Sequence, residues 1–186
     1  LQMITAEILK KIYVHAKSTA IDAFIGPLNE TMEKYEISTA LRQAHFLAQV
    51  GHESGELRYV RELASGQAYD IGKLAESLGN TPEDDDDGER YKGRGLIQIT
   101  GTANYKALSK DLGCDFLANP ERLEEPVYAA MSAGWFWNKR KLNRLADLDD
   151  LKRITKRING GLNGLEDRKR LYELAKTAID TRGTIS

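Results

Sequence analysis

With 186 residues, 41% hydrophobic and 30% charged, the chain has the composition of one ordinary folded domain, which excludes a disordered or fibrous protein. One cysteine excludes an internal disulfide, so stability rests on packing; a chain of this size buries roughly 70% of its unfolded surface. Net charge is −1, split between residues 1–90 (9 Lys or Arg against 16 Asp or Glu) and residues 91–186 (18 against 12).

Ile8, Ile12, Ala16 and Ala20 share one face of a helix predicted from about Thr5 to Phe24. Pro27 opens another short segment. Ser38 suits an N-cap for the run containing Leu41, Ala44, Phe46, Leu47, Ala48 and Val50. A helix apolar nearly all round is normally buried, which places this one through the middle of the domain. A further helix runs from about Ala68 to Leu78, closed by Gly79, and the acidic run Glu83–Glu89 follows as a loop. Leu96-Ile97-Gln98-Ile99-Thr100 alternates like a short strand. Ala103 to Leu112 forms a helix ended by Gly113, and Pro126 opens a buried one through Trp137. Leu148, Leu151, Ile154 and Ile158 mark an amphipathic helix that stops at Asn159-Gly160-Gly161, and Asp167 to about Ile179 completes the chain. The expectation is a mainly α (α+β) fold with a small β-hairpin region. No repeat, low-complexity tract or linker divides residues 1–186, so one catalytic domain without a separate wall-binding module is expected.

Gly51-His52-Glu53-Ser54-Gly55 ends the buried helix. A carboxyl beside apolar packing is disfavoured in its charged form, which suits a general acid. Glu62 follows nine residues later. An unbroken helix would turn about 900° and rise roughly 13.5 Å between them; an extended chain would separate them by about 30 Å. Neither lets two carboxyls flank one bond at the roughly 6.5–9.5 Å that inversion at a sugar requires. Ser54-Gly55 offers a break that folds Glu62 back. Spacing alone equally allows Glu62 to pair with Arg58 or Arg61, and His52 to be a packed histidine.

The second cluster is Tyr91-Lys92-Gly93-Arg94-Gly95-Leu96-Ile97-Gln98-Ile99-Thr100, then Asn104. Gln98, Thr100 and Asn104 are able to bond sugar hydroxyls and acetamides; in a strand, Gln98 and Thr100 share a face. Thr100 either holds a water or caps the next helix. The glycines match neither a phosphate loop nor a dinucleotide fingerprint. Glu83, Asp85, Asp87 and Gly88 partly imitate a calcium loop, but position twelve would be Arg94 instead of glutamate. His15, His45, His52 and Cys114 form no zinc pattern, so no metal and no cofactor are expected. The basic residues of the second half suit either an anionic polymer or a solvated helix surface. Trp135, Phe136 and Trp137 either stack on sugars or fill the core.

Phe46–Gly55, Gly93-Arg94-Gly95-Leu96-Ile97-Gln98-Ile99-Thr100 and Ile158-Asn159-Gly160-Gly161, in this order and spacing, resemble glycoside hydrolase family 19, over about residues 38–175. That family contains chitinases and phage endolysins. The resemblance implies a lysozyme-like, helix-rich fold with a substrate cleft and single-displacement hydrolysis with inversion. It makes Glu53 the acid, Glu62 the base and Thr100 a holder of the attacking water. It puts Gln98, Asn104, Asn159 and Arg168 at substrate-binding positions, Arg168 matching an arginine that pairs near the acid. The sequence departs from plant-type chitinases at Leu96, Ala103 and Asn163 and lacks their disulfides.

Gly-His-Glu-Ser-Gly looks more like the endolysin branch. The expectation is therefore a muramidase cutting β-1,4 bonds of peptidoglycan glycan strands for host cell lysis, with a chitinase or a non-catalytic wall- or nucleic-acid-binding module as alternatives. The start of the chain has no secretory signal, and no apolar stretch reaches about 18 residues. Synthesis in the host cytoplasm is thus expected, without stable membrane insertion, access to the wall depending on a separate membrane-permeabilising protein. A monomer that does not bind nucleic acid completes the expectation.

Overall fold

A computed structural model describes residues 3–62 and 87–183; the helix expected over 68–78 and most of the acidic run, with its calcium-loop pattern, lie outside them. The described elements are α1 (Ala6–Ile12), α2 (Ser18–Lys34), α3 (Ala40–Glu53), a one-turn α4 (Asp87–Arg90), α5 (Thr102–Leu112), a 3-10 turn (Pro120–Glu124), α6 (Pro126–Lys139), α7 (Leu142–Asp147), α8 (Leu151–Asn159) and α9 (Leu165–Gly183). Among the described residues, β structure is limited to two isolated antiparallel bridges, Arg61 with Arg94 and Arg94 with Ile99. The mainly α expectation holds.

The centre is α3. Thr39, one residue beyond the expected Ser38, caps it: its hydroxyl accepts the Arg42 N–H at 3.1 Å. Every residue from Gln43 to Gly51 is buried, as a helix apolar on all sides requires. α3 lies along α9 and also meets α7, while α2 packs on α6 and α1 contacts both α2 and α9. Phe46, Leu47 and Val50 are fully buried, each worth roughly 1.5–3 kcal/mol. Gly51 permits the close approach of the N-terminal segment: a Cβ there would lie 2.6 Å from Tyr13 Cε1. The Tyr13 hydroxyl uses that proximity to donate to the Leu47 carbonyl at 2.6 Å.

Packing overrides the sequence pattern at four places. The single helix expected over 5–24 is two, because Tyr13 leaves helical geometry (φ −99°, ψ 69°) and the His15 N–H donates to Glu56 Oε1 at 3.2 Å. Pro27 lies inside α2 and opens no new segment. An interior proline costs about 3 kcal/mol, but Ile21, Phe24, Leu28 and Met32 are buried on that helix and together contribute roughly 6–12 kcal/mol. Leu148 is 68% exposed and ends α7, a helix absent from the sequence reading; α8 starts at Leu151 behind an Asp150 cap. Residues 96–100 form no strand. Arg94 and Ile99 exchange two backbone hydrogen bonds, at 3.1 and 2.8 Å, and enclose a tight turn. Leu96, Ile97 and Ile99 are all buried, so burial follows the turn and not a period of two.

Candidate active site

Glu53 is the last residue of α3, with its side chain 24% exposed. Its Oε1 lies 2.9 Å from Nη2 of Arg168. Arg168 stands in the first turns of α9 and is 1% exposed, so it faces Glu53 and not solvent. Its other two nitrogens are also engaged: Nη1 donates to Gln49 Oε1 at 2.5 Å and Nε to the Asn163 carbonyl at 3.2 Å. Gln49 and Glu53 are four apart and share a helix face, so one guanidinium reaches both. Gln49 in turn donates to Thr155 of α8 at 3.3 Å. Asn163, where the sequence departs from plant-type chitinases, contributes its backbone carbonyl.

After Glu53 the chain reverses. Gly55, Glu56 and Leu57 all have left-handed backbone (φ 58°, 58° and 70°). A non-glycine residue there costs roughly 1–2 kcal/mol, and tertiary bonds offset it. Leu57 is 4% exposed, and Glu56 accepts from His15 N–H and from Arg170 at 3.3 Å. Ser54 closes the reversal: its hydroxyl donates to the Val50 carbonyl at 2.7 Å and accepts the Leu57 N–H at 2.9 Å. The break expected at Ser54-Gly55 is therefore present, but it takes three left-handed residues, two of them, Glu56 and Leu57, strained. It delivers Glu62 to the Gly93–Ile99 hairpin. The Glu62 N–H donates to the Gly93 carbonyl at 2.8 Å, and its Oε1 accepts the Gly93 N–H at 2.6 Å.

Gln98, Thr100 and Asn104 line one pocket of about 130 Å³ with Ile99, Trp135, Phe136 and Arg140. Gln98 lies against Gly93: a Cβ on that glycine would be 2.7 Å from Gln98 Oε1. The pocket thus adjoins the segment that holds Glu62. Asn104 donates to the Thr100 carbonyl at 2.8 Å. Thr100 does not cap the following helix; Gly101 occupies that position (φ 90°). Asn159 is exposed at the end of α8 and does not line this pocket.

Near the site, His52 is the packed histidine that the sequence allowed, while Glu56, Asp167 and Arg170 were given no role there. His52 Nδ1 is 2.7 Å from Asp167 Oδ2, and Arg170 bonds Asp167 at 2.9 Å and reaches Glu56. Desolvation pushes the Asp167 carboxyl up, but the bonds from His52 and Arg170 outweigh it and hold it below the usual carboxylate range. Gly164 leaves room for the His52 ring, since a Cβ there would collide with the imidazole. Arg94 fastens the hairpin, donating to the Arg90 carbonyl at 2.7 Å, to Tyr105 at 2.9 Å and to Glu124 at 3.1 Å. The i, i+4 spacing of Gln49 and Glu53 was the one local signal for a shared partner. Among the described residues, no three His, Cys, Asp or Glu side chains gather as a metal site.

A family model described as Chitinase class I matches residues 12–147; it starts earlier and ends sooner than the motifs alone suggest. A glycosyl hydrolase family 19 domain-containing protein of Haemophilus influenzae is 35% identical over 197 aligned positions, covering 91% of this chain and 94% of that protein. Endochitinase At2g43610 of Arabidopsis thaliana is 37% identical over 141 positions, covering 75% of this chain and 46% of that protein. The chain therefore spans about half the length of that plant relative. Chitinase C from Streptomyces griseus superposes with a TM-score of 0.74 at 21% identity, over 95% of this chain and 76% of that one. The class IV chitinase of Zea mays gives 0.69 at 23% identity, over 95% and 92%. Together these define a glycoside hydrolase with a chitinase-like fold. The chain belongs to glycoside hydrolase family 19.

Proposed function

We propose that the chain hydrolyses β-1,4 bonds between N-acetylated amino sugars by single displacement, and that its substrate is the glycan of peptidoglycan. In this reading Glu53 protonates the glycosidic oxygen. Glu62 takes a proton from the water that attacks the anomeric carbon from the opposite face, and Thr100 holds that water. Gln98, Asn104 and Asn159 bond hydroxyls and acetamides. Arg168 is a positioning residue that fixes the Glu53 carboxyl at the end of α3. The observation carrying the proposal is the 2.9 Å Glu53–Arg168 pair at the head of the reversal leading to Glu62.

The likeness of Gly51–Gly55 to endolysins supports peptidoglycan as the substrate and host lysis as the purpose. The enzyme would then act as a monomer, without nucleic acid, reaching the wall from the cytoplasm through a membrane opened by another protein. The endochitinase relative supports a second reading, chitin. Purified sacculi and N-acetylglucosamine oligomers are the two substrates to compare. New reducing ends are expected, first as the α-anomer by NMR, and Glu53→Gln should lower the rate by about 10²–10⁴. A β-anomer product, or reducing ends undiminished by the substitution, refutes the mechanism.

A further inference from the structure

The pocket beside the hairpin is electrically lopsided. Gln98, Thr100 and Asn104 give it neutral polar groups, Trp135 and Phe136 an apolar wall, and Arg140 a cation.

Arg140 follows the last residue of α6 and stacks on it. Its guanidinium carbon is 3.5 Å from the Phe136 ring centroid, and its carbonyl accepts from Arg157 Nη1 at 3.0 Å. The preceding residue, Lys139, is 3.4 Å from Asp111. Among the described residues, no carboxylate lies within 4.0 Å of Arg140. Arg140 is solvent-exposed, and the part of it covered by the Phe136 ring and the pocket wall lowers its pKa from the ordinary arginine value. Arginine nevertheless stays protonated at neutral pH. The result is a solvent-accessible cation held against an aromatic ring at the pocket, with no carboxylate of the described residues beside it.

We infer that Arg140 binds a carboxylate carried by the glycan strand and so favours peptidoglycan over chitin, whose acetamides and hydroxyls carry no charge. A guanidinium matches a carboxylate in a two-bond fork, and stacking on Phe136 reduces the entropy lost on binding. This inference rests on the glycoside hydrolase reading of the same site. The carboxylate belongs either to the attached stem peptide or, on strands from which the stem has been removed, to the lactyl group of the amino sugar, which is an amide wherever a stem is attached.

The test compares wild type, Arg140→Gln and Arg140→Lys on intact sacculi, on glycan strands stripped of stem peptides, and on an N-acetylglucosamine hexamer. Arg140→Gln should lower the ratio of kcat/KM on carboxylate-bearing strands to that on the hexamer about tenfold, or about 1.4 kcal/mol. Arg140→Lys should recover part of it. A ratio that falls on stripped strands assigns the lactyl carboxylate; one that falls only on sacculi assigns the stem. A ratio unchanged within about twofold on both overturns the inference, whatever happens to the absolute rates. Retention of Glu53→Gln protein on intact sacculi and on stripped strands, with and without Arg140→Gln, separates this from failure of the enzymatic reading. If wild type cleaves nothing, that reading falls, while equal retention of the two proteins on both substrates overturns the role of Arg140 independently. Matching melting temperatures establish that the variants fold.

Discussion

Replacing Arg168 with methionine removes the guanidinium and keeps most of the side-chain volume. The structure sets the size of the effect. Arg168 is 1% exposed and bonds Glu53, Gln49 and the Asn163 carbonyl. Its loss strands a carboxylate and two acceptors. Breaking a buried ion pair typically costs about 3–5 kcal/mol. Glu53 is 24% exposed, so water recovers part of its solvation and the expected loss is about 2–3 kcal/mol. At roughly 2–4 °C per kcal/mol for a chain of this size, the melting temperature should fall by about 4–12 °C. A double-mutant cycle isolates the pair. With Glu53→Gln already present, Arg168→Met no longer leaves a charge unpaired, so the two changes should couple by about 1 kcal/mol or more. Denaturant titration of the four proteins measures this, and hydrolysis by Arg168→Met should lose kcat more than KM. Additivity within about 0.5 kcal/mol refutes the view that Arg168 holds Glu53.

Gly55→Ala places a Cβ 3.0 Å from Tyr59 at φ +58°; it should cost about 1–2 kcal/mol and reduce hydrolysis, and an unchanged melting temperature would contradict the strained turn. Stability should fall on acidification in two stages. Burial lowers the His45 pKa from 6.5, despite its bond to Asp149. The unfolded chain therefore takes up a proton that the fold resists, and stability present above about pH 6.5 declines below it. Asp147, Asp149 and Asp167 titrate below their ordinary 3.8, so their contribution is lost as the pH falls through about 4 and below. Melting temperatures across pH 3–8 check both stages, and His45→Phe should flatten the upper one; a melting temperature that rises between pH 6.5 and 5 reverses the sign of the argument.

The helix ends that were legible in the sequence rely on local chemistry. Pro126 opens α6, Gly113 in left-handed backbone closes α5, and Gly160 closes α8, because caps involve neighbours along the chain. The buried character of α3 was equally plain from its composition. The candidate acid and base were readable only as residues in motifs.

Tertiary structure decided the rest. The pairing of Gln49 and Glu53 with Arg168 joins positions more than a hundred residues apart, and it exists because α3 lies along α9. The reversal at Gly55–Leu57 needs His15 and Arg170 to hold Glu56, neither of which is near it in sequence. Pro27 inside α2 and the turn at residues 95–98 have the same origin. Burial and long-range hydrogen bonds there contribute several kcal/mol, whereas local propensities differ by about one, so the sequence pattern yields wherever the two disagree.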